Sequence, residues 1–174
     1  VQLSRDLTVI GTYGYTEAEY DEFGLTYLGA TPQLDCSGQE RSRGQDLELS
    51  CLPFKTTPKQ QYSLSLRYLL PIDVASFGEI ETAITYVWVD KQYSAHITPP
   101  EAEPGAWLPG FGLVNASVSW NRILNSSFSA QLYGTNLANK EYRISNSNQW
   151  NLTYFQSSIY SEPRNVGLQV SYDF

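Results

Sequence analysis

The 174-residue chain has no methionine, one histidine and only two cysteines. One imidazole (His96) and two separated thiols (Cys36, Cys51) cannot close a tetrahedral zinc site. A serine hydrolase is equally poorly served, because the lone histidine lies in Pro-rich sequence and no GxSxG elbow occurs. No DxDxDG calcium loop is present. The chain is therefore read as a non-enzyme with no cofactor and no metal. Charge is sparse at 17%, with 11 Lys+Arg against 18 Asp+Glu and a net charge of −7, and no basic run exists. That balance excludes nucleic acid and anionic lipid headgroups as partners. No apolar stretch approaches the roughly 18 residues of a membrane-spanning helix. The chain opens on Val1 without a signal-peptide pattern, as expected of a processed chain or a piece of a longer one.

What is abundant is aromatic residues, 14% of the chain with 13 tyrosines, and a period of two. In QYSLSLRYLL, Tyr62, Leu64, Leu66, Tyr68 and Leu70 share one face, and Gln61, Ser63, Ser65 and Arg67 the other. Val114, Ala116, Val118 and Trp120 alternate with Asn115, Ser117, Ser119 and Asn121. Phe128, Ala130 and Leu132 alternate with Ser127, Ser129 and Gln131. Val166, Leu168, Val170, Tyr172 and Phe174 alternate with Gly167, Gln169, Ser171 and Asp173. The pattern predicts six strands at about 7–20, 59–71, 79–93, 111–121, 127–137 and 163–174. The third has no clean face, since Val87 and Val89 oppose Ile84, Tyr86 and Trp88.

The connections alternate between short (PIDVASFG and NRILNS) and long (21–58, 94–110 and 138–162). Outer-membrane barrels show this bookkeeping, with short periplasmic turns and long outer loops. Alternation alone would also suit a soluble sheet. The apolar faces, however, carry almost no charge, and the polar faces are Ser, Thr, Asn and Gln rather than Lys and Glu. Tyr62, Tyr68, Trp88, Tyr93, Trp120, Phe128 and Phe174 lie near strand ends, as aromatic girdles require. The fold expected is all-β: an antiparallel transmembrane β-barrel segment of about six strands, with outer-membrane lipid as one partner. Cys36 and Cys51 bracket a polar stretch, which reads as a disulfide staple worth about 3 kcal/mol in the chain-entropy account.

The terminal PRNVGLQVSYDF resembles the C-terminal signal of outer-membrane proteins. Together with GTNLANKEYR it is similar to the end of TonB-dependent receptors. Asn136, Leu137, Asn139, Lys140 and Tyr142 match that family's NL.(D/N)K.Y stretch, and Pro163, Arg164 and Gly167 its PR..G stretch. LTVIGTYGYTEAEYDEF, PKQQYSLSLRYLLP and GFGLVNASVSW resemble further receptor strands. The resemblance covers nearly the whole of residues 1–174 and implies the distal part of a plugged barrel of about 22 strands. Neither plug nor TonB box falls within this stretch.

The resemblance implies an active importer in the outer membrane of a Gram-negative bacterium. Its cargo would be a small-molecule substrate such as a ferric siderophore, and its energy would come through the TonB complex bound by an N-terminal part. Val166, Leu168, Val170, Tyr172 and Phe174 would form the signal read by the barrel-assembly machinery. Loops on a rigid scaffold carry recognition, so Trp107, Trp150, Tyr154 and Phe155 are the ligand-stacking candidates, with loop self-packing as the competing reading. Asn136, Asn139 and Arg164 read as turn and strand-start positions rather than ligand groups. A passive porin or structural barrel is the alternative function, and a soluble sugar-binding sandwich a more distant one.

Overall fold

The computed structural model describes residues 6–95, 105–147 and 154–174. Six strands form its main sheet: β1 Leu7–Tyr15, β2 Gln60–Leu69, β3 Glu79–Val89, β4 Phe111–Asn121, β5 Phe128–Thr135 and β6 Asn165–Tyr172. They pair in sequence order, each antiparallel to the next. β3 and β4, at 11 residues each, have the length of a bilayer-crossing strand, about 9–11 residues.

Period two becomes two chemically distinct faces because the register never slips. One transverse row runs Val9, Leu66, Ile84, Ala116, Gly134, Val166. The row on the reverse face runs Thr8, Arg67, Ala83, Ser117, Tyr133, Gly167. Hydroxyls bridge strands on this second face, at 2.7 Å for Thr12–Ser63 and 2.9 Å for Ser65–Thr85. The apolar face is open: Ile84 is 46% exposed and Leu168 69%. An apolar expanse across a whole sheet exceeds the patches that soluble monomers leave to water.

The ambiguous strand resolves in the same way. Ile84, Tyr86 and Trp88 join the apolar face, opposite Leu66, Leu64 and Tyr62. Val87 and Val89 lie on the reverse face, opposite Leu113 and Phe111. The polar wall therefore turns apolar toward its loop-bearing end, where the Tyr142 ring stacks on Phe111 at 3.8 Å.

Both short connections pack together at the other end. Asp73 caps the single helical turn α1 (Val74–Phe77), accepting from Ala75 N at 3.1 Å and Ser76 Oγ at 2.6 Å. Gly78 then turns with φ +82° against the Asn121 and Arg122 carbonyls, a contact that leaves no room for a Cβ. Trp120 Nε1 donates to Phe77 O at 2.7 Å, joining this turn to the 3₁₀ turn Ile123–Asn125.

Several strand boundaries fall short of those the alternation predicts. β1 stops at Tyr15, before the acidic TEAEY run, and β6 starts at Asn165, just after Pro163, which has no N–H for a ladder. β3 stops at Val89, and Gln92–Tyr93 pairs instead with Trp107–Leu108. Tyr93 is consequently not a girdle residue: it is 2% exposed and belongs to the core. That core lies outside the sheet altogether. Tyr27, Leu47, Leu49, Leu52, Tyr93, Ala95 and Ala106 bury one another among the long connections.

Candidate functional site

The described parts of the three long connections fold into one cap at the strand ends remote from the short turns. The first carries two small antiparallel ladders, Gly24–Thr26 with Asp46–Glu48 and Gln33–Leu34 with Glu40–Arg41. Its sequence shows no apolar periodicity because each ladder is only two or three residues long. Disulfide-bonded Cys36 and Cys51, with Cα atoms 5.6 Å apart, fasten it. Tyr20 stacks on both Phe23 and Phe54, at 4.7 and 4.2 Å.

Asp35 organises the turn beside the disulfide. Its Oδ1 accepts from Ser37 Oγ at 2.6 Å, Ser37 N at 2.9 Å and Gln39 N at 3.0 Å. Its Oδ2 accepts from Arg41 Nε at 2.7 Å. The Ser37 hydroxyl bond first, then the Arg41 guanidinium and the Gln39 amide, hold this buried carboxyl far below the usual carboxylate range, against the opposing effect of burial.

The second connection joins the first through Thr56 N, which donates to Tyr93 O at 2.8 Å. The third, whose Arg143–Asn146 pairs with Ser158–Tyr160, joins the second through Arg143 Nη2, which donates to Trp107 O at 2.9 Å.

The ligand candidates separate in this geometry. Trp107 packs edge-on against Tyr93 at 5.7 Å, and Lys91 Nζ lies 4.8 Å above its ring. It is a half-buried packing residue of the cap. Tyr154 and Phe155 are each 60% exposed. Tyr154 is close enough to raise the pKa of Tyr27, which burial raises first and the Thr31 side chain lowers. Trp150 lies outside the described residues, as does His96. Among the described residues no cluster of His, Cys, Asp or Glu could hold a metal ion.

The NL.(D/N)K.Y stretch is a turn that ties β5 to the start of β6. Asn136, with φ +48°, is buried; its Oδ1 accepts from Lys140 N at 2.8 Å. Its Nδ2 donates to Lys140 O at 2.9 Å and Glu162 O at 3.2 Å. Asn139, at φ +50°, accepts from Arg164 N at 3.0 Å. Asparagine suits both places, since it tolerates left-handed backbone and bonds its own turn. Asn136, buried with both ends of its amide bonded, is therefore not available as a ligand group.

Below the cap, the polar face forms an open depression of about 290 Å³ lined by Thr85, Asn115, Ser117, Gln131, Tyr133 and Thr135. These neutral donors and acceptors can hydrogen-bond a passing solute without holding it by charge. Along β6 and beyond its end, Val166, Leu168, Val170, Tyr172 and Phe174 are all exposed. Phe128 and Tyr172 rings meet at 4.8 Å, and Tyr172 and Phe174 at 5.1 Å.

Sequence reasoning passed over Ser94, Arg143 and Asn146. Each is an ordinary polar residue in polar sequence, and the signal that distinguishes them, a partner in another connection, is absent from any local pattern.

A family model described as TonB dependent receptor-like, beta-barrel, matches residues 1–137. No curated protein and no solved structure matches the chain.

Proposed function

Because the chain belongs to the TonB-dependent receptor β-barrel family, whose members act in outer-membrane transport, we propose that residues 1–174 are the distal wall and outer cap of an active importer. The observation that carries this reading is the two-faced sheet crowned by a folded cap. Hydrocarbon covers the row through Leu66 and Ile84, and the row through Ser117 and Tyr133 faces the lumen. In lipid every backbone N–H and C=O must be paired, so β1 and β6, the sheet's two edges here, pair with further strands that close the wall.

In this reading scarce cargo, most simply a ferric siderophore or related chelate, stacks on Tyr154 and Phe155. It then moves along the hydroxyl- and amide-lined wall once TonB-supplied energy displaces the plug. The wall residues do no bond chemistry. They exclude lipid, keep the path wet and offer exchangeable hydrogen bonds. The exposed ladder Val166–Leu168–Val170–Tyr172–Phe174 serves the barrel-assembly machinery before the wall closes.

The test is uptake of radio-iron chelates and, in parallel, of other scarce solutes, by cells with the intact gene, a gene deletion and a TonB deletion. Loss of one solute in both deletion strains supports the proposal. Uptake that persists without TonB refutes energy coupling.

A further inference from the structure

Asn146 ends the third connection's first arm, and its side chain is buried where the second and third connections meet. Nδ2 donates to Ser94 Oγ at 3.0 Å and to Gly105 O. Oδ1 accepts from Ser158 Oγ at 2.7 Å. The orientation of the amide follows from chemistry, because a carbonyl such as Gly105 O accepts only and must face Nδ2.

Each partner belongs to a different arm of chain. Ser94 and Gly105 stand at the two arms of the second connection, which are already joined by Ser94 N donating to Ala106 O at 2.8 Å. Asn146 and Ser158 stand opposite each other in the third, whose next rung is Ser147 N to Ser157 O at 2.8 Å. One amide therefore binds four arms, and both of its ends are used.

The surrounding contact is built for closeness. Gly105 has φ +76°, and a Cβ there would meet Arg143 Nη1 and Gln156 Oε1 at 2.7 Å each. Both are third-connection side chains lying over a second-connection backbone.

We propose that Asn146 is a latch that makes the second and third outer connections open and close as one body. The rungs within each connection need only that connection. If either opened alone, the buried amide would lose partners on one side and keep them on the other, leaving buried polar groups unpaired. Joint opening exposes the whole cluster to water and avoids that penalty. A load applied to Tyr154 or Phe155 is then felt at Ser94 and Trp107. This holds whatever the cargo is, so it stands or falls apart from the proposed transport.

The test is hydrogen exchange on the full-length receptor in detergent, comparing wild type with Asn146→Asp, which keeps the shape and loses both donors. The expected result is a fall in protection of at least about tenfold at the Ser94 and Ser147 amides together, with the amides of Gln60–Leu69 unchanged. Loss confined to the third connection, or no loss in either, overturns the latch. Should the Asp variant fail to assemble, Ser94→Ala removes one leg of the latch. It is expected to lower protection in both connections by a smaller factor. Loss in the second connection alone would refute the coupling.

Discussion

Leu66→Arg puts a charge at the centre of the apolar face. Leu66 sits in the row between Val9 and Ile84, mid-strand in β2 and 40% exposed. Along the strand it is four residues from Tyr62, about 13 Å, and two from Tyr68, about 7 Å at 3.3 Å per residue, so a guanidinium can lean only toward the Tyr68 rim, which sets the loss toward the lower end of the range. An arginine facing lipid near the midplane costs about 2–4 kcal/mol. That is about thirty- to a thousandfold in the folded-to-unfolded ratio at 1.4 kcal/mol per tenfold. The control is Ser119→Arg. Ser119 lies on the opposite face, directly across from Glu81, so the new charge gains a cross-strand partner worth a few tenths of a kcal/mol to about 1 kcal/mol. The assay is urea unfolding of the full-length receptor in lipid vesicles, followed by the heat-modifiable gel mobility of folded barrels. The expected outcome is a large loss for Leu66→Arg and a neutral or slightly stabilised Ser119→Arg. Equal loss for both, or no loss for Leu66→Arg, would refute the assignment of faces.

Asn136→Ala removes a buried side chain that makes three hydrogen bonds and leaves an alanine at φ +48°; it is expected to cost about 2 kcal/mol or more by chemical denaturation. Reducing Cys36–Cys51 is expected to lower the stability of the first connection by about 3 kcal/mol, read as faster proteolysis within residues 16–59 while the sheet stays intact; an unchanged digestion pattern would count against it. Asp35 is held below its unfolded pKa of about 3.9, so its contribution is complete above that value and is lost as pH falls through it toward the folded value. Unfolding of the first connection is therefore expected to become easier between pH 5 and pH 2 (roughly the carboxylate range) in wild type, and Asp35→Asn is expected to flatten that dependence.

The alternation of Tyr62 to Leu70 and of Val166 to Phe174 is enough to place strands and to separate two faces, because a strand's side-chain period is a local property of the backbone. The short turns were legible for the same reason, and the Asn136 and Asn139 turns were readable as turns from residue type alone. The packing of the long connections was not. Tyr93 looks like a rim residue in sequence and is core, Trp107 looks like a ligand platform and is held by Tyr93, Lys91 and Arg143, and Val87 and Val89 blur a strand whose reverse face they share with Phe111. Asn146 reaches Ser94 across 52 residues. No local period encodes a contact of that span. The sequence by itself determines which residues can face hydrocarbon and which water, since that depends on neighbours one and two residues away. Only the tertiary structure decides which loop residues are buried or left exposed to a ligand, since that depends on three distant segments closing over a shared core.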